Sequence, residues 1–136
     1  MRNGESPQVY LAAANAAAAK AVAANPKSAV AYQSAARVHR WRAEWRLSQG
    51  RSVSADLIEG QRHVEQALQR NPGLAGSMVT DAALKTIQAE SESDPRIRSA
   101  LLSDAAASLR RALEANPLLA GETVELNERI IAAAAN

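Results

Sequence analysis

Cysteine and phenylalanine are both absent from this 136-residue chain, and only two tryptophans and two tyrosines supply aromatic surface. Without cysteine there is no disulfide framework, no thiolate metal ligand and no thiol nucleophile. No run of about 18 apolar residues exists, so no membrane span is expected. The stretch Val9 to Ala24 has the small residues of a secretory leader, but Asn15 and Lys20 interrupt it and Glu5 sits at the wrong end. A cytoplasmic location is the resulting expectation. Strand formers are sparse and never alternate over a usable stretch, which argues against sheet.

Alanine is what the chain has in abundance: 32 residues, against 13 Leu, 8 Val and 5 Ile. Alanine is the best helix former and buries little area. A core built from it needs helices that lie close together over long lengths. The fold class expected is therefore all-α, within one domain.

Charge is unevenly distributed. Residues 1–51 carry eight basic groups and two acids, and residues 52–136 carry eight basic groups and twelve acids. One part has a formal charge of +6 and the other −4. Such asymmetry bears on charged partners and on end-to-end contacts.

Asn-Pro occurs three times, at Asn25-Pro26, Asn71-Pro72 and Asn116-Pro117, spaced by 46 and 45 residues. Reading back from each pair yields the same stripe. Leu11, Leu57 and Leu102 are followed by Ala14, Gly60 and Ala105, then Ala18, Val64 and Leu109. Ala21, Ala67 and Ala112 come next, and Val22, Leu68 and Leu113 close it. These offsets mark one face of a helix. Proline moves the residue before it out of the helical region, and Asn tolerates the left-handed conformation common past a helix end. Ser28 is an expected N-cap, and Asp94-Pro95 supplies a cap followed by a first-turn proline. Ala29, Ala75 and Ala120 open the intervening helices. The spacing predicts six helices at 7–24, 28–48, 53–70, 74–91, 95–115 and 119–135.

Small, aliphatic, Ala, then Pro five residues later resembles the second helix of a tetratricopeptide repeat. Ala14, Ala18, Ala21 and Pro26 fill that pattern, as do Gly60, Val64, Ala67, Pro72 and Ala105, Leu109, Ala112, Pro117. Tyr32 with Ala36 matches the first helix of the family repeat, Met78 with Ala82 matches it less well, and Thr123 with Asn127 does not. The repeat is longer than the family's roughly 34 residues by about three helical turns. Long repeats carrying Ala43-Glu44-Trp45 near the end of the first helix are similar to the C-terminal repeat regions of bacterial eukaryotic-like serine/threonine kinases, although no kinase motif is present. The resemblance implies a right-handed superhelix of helical hairpins: a half-repeat at 7–26, repeats at 27–72 and 73–117, and a terminal helix at 118–136.

It also implies function. The family's first helices line a concave groove for a protein or peptide, and the matching positions are Gln33, Arg37, Arg40, Trp41, Val79, Ala83 and Ile87. A groove with a basic first repeat and an apolar second suits an acidic partner with aliphatic residues. The module implied is non-catalytic, with a kinase's regulatory or dimerising tail as the alternative. Half-repeats at both ends suggest a piece of a longer array, or self-association through the terminal helices.

The residues also admit blander readings. Trp41 and Trp45 lie beside Val38, a stripe expected to pack inside a hairpin, while Arg37 and Arg40 share a face with Gln33 and Glu44 that solvent alone could occupy. Nucleic acid is not expected, because the acidic part repels phosphate. His39 and His63 are the only histidines. No carboxylate cluster is expected at ligand spacing from them, so no metal and no cofactor is predicted. Neither a Gly-x-Ser-x-Gly elbow nor a phosphate-cradling glycine loop is present, which leaves no catalytic residue to name.

Overall fold

The computed structural model describes residues 7–136. Glu5, at the wrong end for a secretory leader, lies outside them. Six α-helices follow in order: α1 Pro7–Ala24, α2 Ala29–Ser48, α3 Ser54–Arg70, α4 Ala75–Glu90, α5 Pro95–Ala115 and α6 Val124–Ala134. No strand occurs among the described residues. No helix among them is long and apolar enough to cross a membrane.

The Asn-Pro junctions are built alike. Asn25, Asn71 and Asn116 each donate a backbone N–H to the alanine of the fourth stripe position, Ala21, Ala67 and Ala112. Their carbonyls accept from Ser28, Leu74 and Leu119. Asn71 and Asn116 are extended, not left-handed, with φ near −142° and −147°. The proline that follows imposes this conformation. Their side chains begin the next turn instead: Asn71 Oδ1 accepts from Gly73 N–H at 3.1 Å, and Asn116 Oδ1 from Leu118 N–H at 3.2 Å. Ser28 caps α2 by accepting from Ala31 N–H, and Asp94 caps α5 by accepting from Arg96 N–H. At the end of α2, Gly50 has φ +66°, and Arg51 N–H donates to the Arg46 carbonyl. That is a Schellman closure, which needs a left-handed residue at this point.

One boundary moves. The helix expected from 119 begins only at Val124, after a 3-10 turn over Pro117–Ala120. Gly121 is a poor helix former. The Thr123 hydroxyl donates to the Leu119 and Ala120 carbonyls, closing the turn before α6 starts.

Packing follows the stripe. Leu57, Gly60, Val64 and Ala67 on α3 are buried, as are Leu102, Ala105, Leu109 and Ala112 on α5. On α1 only Ala18 is buried, and Ala21 is exposed. The difference lies in the neighbours: α3 and α5 each pack against two helices, whereas the one extensive partner of α1 is α2. Helix α4 is the centre of the molecule, packed against α2, α3, α5 and α6. Its buried Leu84 and Ile87 join Ala36, Ala43, Leu57 and Val64 in one cluster. Its Ala82, Ala83 and Ala89 join Leu102, Leu109, Leu126 and Ile130 in another.

Candidate functional site

The residues expected in a groove divide into two groups. Gln33, Arg37, Arg40 and Trp41 lie on α2 and reach the surface to different degrees. Arg37 is exposed, and Trp41 keeps 52% of its surface in solvent. Trp41 is therefore not inside the hairpin, although Val38 of the same stripe is buried. Trp45 is half-buried, with the Arg51 guanidinium 5.3 Å from its ring centre. Among the described residues neither Arg37 nor Arg40 forms an ion pair or hydrogen bond. Burial lowers the pKa of Arg40, opposed by the nearby Glu44 carboxylate and assisted by Arg129 and Arg37. Gln33 is committed internally. Its Oε1 accepts from the Ser77 hydroxyl at 3.2 Å, and its amide lies where a Cβ on Gly76 would stand.

The α4 group behaves otherwise. Ala83 and Ile87 have 1% and 0% of their surface exposed, so neither side chain can touch a partner. This corrects the expectation that they line an open groove. They face the two core clusters because α4 packs against four other helices, and these positions lie on its covered sides. Val79 is half-buried against the α5–α6 cluster.

Near this surface Arg129 of α6 spans two helices. It donates to Glu44 on α2 at 2.8 Å and to Glu90 on α4. Burial alone would lower its pKa, but the bonds to the two carboxylates outweigh that and raise it. Arg129 is a cation of the acidic part and Glu44 an acid of the basic part, so their pairing leaves the opposite surplus charges of the two parts in place.

The least expected arrangement lies between α2 and α3. Asp56 is buried on α3, and its Oδ1 stands 2.9 Å from His39 Nδ1 and 3.5 Å from Arg42 Nε. Arg46 Nη1 lies 3.1 Å from Oδ2, near enough to pair in charge yet not directed for a hydrogen bond. A buried carboxylate requires such company. His39 in turn stacks on His63, with ring centres 5.5 Å apart and planes 19° from parallel. Tyr32 lies tilted against His63, ring centres 6.0 Å apart, and carries the Arg70 guanidinium 4.3 Å from its own ring centre. Gly60 permits this approach. A Cβ there would come 3.3 Å from His39 Cβ and 2.9 Å from Leu84 Cδ1.

Glu59 completes the cluster. One donor atom from each of His39, Glu59 and His63 falls within 4.8 Å of the others. The expectation that no carboxylate accompanies the histidines at ligand spacing is corrected. Glu59 precedes His63 by four residues on one helix face, a signal present in the sequence. Its meaning depends on His39, which only the α2–α3 pairing brings across. Desolvation lowers the pKa of His63, with a further contribution from His39. A bond from Arg62 lowers that of Glu59. A second buried polar group joins α4 to α5, where the Ser108 hydroxyl and Lys85 Nζ both donate to Asp81 Oδ2.

Comparison with family models, curated proteins and solved structures yields no match to this chain.

Proposed function

We propose that the chain is a non-catalytic protein-interaction module, built as a tetratricopeptide-like superhelix whose α2 surface receives an acidic protein or peptide segment. The observation that carries this reading is the exposed Trp41 beside Arg37 and Arg40, two guanidinium groups left unpaired by the described residues. Tryptophan and arginine are the residues that most often dominate binding energy at interfaces. Arginine also presents a planar fork suited to carboxylates. The run of contacts from α2 to α4 to α6 supports a layered array of first helices. The partner surface is narrower than the resemblance implies. It comprises Arg37, Arg40 and Trp41, edged by Gln33 and Val79, without Ala83 and Ile87. No step of this reading requires a cofactor, and a cytoplasmic setting suits it.

Panning a displayed library of random peptides against the purified chain tests the proposal. Enriched sequences should be acidic with interspersed aliphatic residues. Arg37→Glu and Trp41→Ala should each weaken a selected peptide at least about tenfold, corresponding to 1.4 kcal/mol. Enrichment of basic peptides, or indifference to both substitutions, would remove the α2 surface as the site.

A further inference from the structure

We propose that His39, His63 and Glu59 form a binding site for one zinc-class divalent cation, which clips α2 to α3. One donor atom from each of the three residues lies within 4.8 Å of the others. Two imidazole nitrogens and one carboxylate oxygen form a donor set suited to zinc, cobalt or nickel and ill suited to magnesium or calcium.

Three features of the surroundings indicate a built site. First, Asp56 engages His39 through Nδ1, which leaves Nε2 as the nitrogen with a free lone pair. A carboxylate behind a histidine fixes tautomer and ring orientation in metal sites. Second, Nδ1 of His63 is buried without a hydrogen-bond partner, so turning this ring breaks no bond at that atom. Third, Gly60 removes the side chain that would hold the helices apart beside His39.

Closure asks for small movements. Tetrahedral ligands on bonds of 2.0–2.1 Å stand about 3.4 Å apart, so separations now within 4.8 Å must contract by up to about 1.4 Å. The two rings are stacked as they stand, and His63 must rotate about its terminal torsion to aim a nitrogen at a shared centre. Glu59 must release Arg62, an exposed partner whose pairing is worth little. With three protein ligands, water takes the fourth position.

The test is titration of the untagged full chain with zinc chloride, followed by calorimetry and thermal melting. One zinc per chain should bind with micromolar affinity and raise Tm by a few degrees, since a ligand of the folded state alone shifts unfolding by mass action. Magnesium at the same concentration should leave Tm unchanged. Substituting cobalt should produce the strong visible absorption of a four-coordinate ion. Glu59→Gln and His63→Gln, whose side chains are only partly buried, should keep the helical circular dichroism and weaken zinc at least about tenfold, the scale set by loss even of an outer partner. Failure to bind one equivalent below about 100 μM zinc, or undiminished binding by both folded variants, overturns the proposal.

Discussion

His39 Nδ1 lies 2.9 Å from Asp56 Oδ1, a buried bond between residues 17 apart that ties α2 to α3. Around it stand Arg42 and Arg46, each about a quarter exposed. Asp56→Ala removes the charge at the centre and leaves His39 without its partner. Loss of one member of a fully buried ion pair costs about 3–5 kcal/mol. Here the two arginines can turn to water, so a cost of about 2 kcal/mol is expected. Urea denaturation measures it, and a loss below about 0.5 kcal/mol would show that the pairing holds nothing together.

Gly60 sets two effects against each other. Replacing it with Ala raises helix propensity by about 1 kcal/mol. The new Cβ meets Leu84 Cδ1 at 2.9 Å, and Leu84 is fully buried, so its side chain can yield only by displacing its core neighbours. Overpacking of this kind costs about 1–3 kcal/mol. Gly60→Ala should therefore destabilise by about 1 kcal/mol net. The sign should reverse in a Leu84→Ala background, which vacates the space. Equal effects in both backgrounds would place the cause elsewhere.

Ala21 and Ala67 occupy the same position of the repeat, yet one is exposed and the other buried. Ala67→Leu should cost about 1–3 kcal/mol by overpacking. Ala21→Leu should fall within about 0.5 kcal/mol of the parent, as a surface change does. Thermal melts of the two variants decide the matter, and comparable losses would mean that α1 is covered on that side in solution.

Arg129 holds two carboxylates, Glu44 and Glu90, that would otherwise face each other. All three side chains are about a quarter to a third exposed, so each pair is worth at most about 1 kcal/mol. Arg129→Ala should lower stability by about 1 kcal/mol in dilute buffer, and by less at 1 M salt, where screening is nearly complete. A loss independent of salt would point to packing of the arginine stem instead.

The repeat was legible because its signals are local. Asn-Pro junctions, the Ser28 and Asp94 caps and the Leu-small-aliphatic-Ala stripe depend on residues within a few turns of one another. Which face of α2 is covered was not local information. Periodicity placed Trp41 on a stripe with Val38 but could not say that the neighbouring helices cover Val38 and leave Trp41 in solvent. Ala83 and Ile87 showed the converse, since apolar residues at groove positions become core once helices close around α4. The Glu59–His63 spacing is visible in the sequence, but it acquires meaning only through its third member, His39, which arrives from another helix. The late start of α6 turned on Gly121 and a hydroxyl contact at Thr123, features weaker than the alanine register that suggested an earlier one.

The bond from Arg129 to Glu44 links α6 to α2, past the intervening α4. In a linear stack each unit senses only the next, and melting can begin at an end and spread inwards. Here the last helix has a direct interaction with the first full repeat. A disturbance at α6 therefore reaches α2 through this pair as well as through α4, with a coupling limited to the roughly 1 kcal/mol of an exposed ion pair. Removing Arg129 should loosen the tie between α6 and α2 that α4 alone does not supply, separating the melting of the last helix from that of α2.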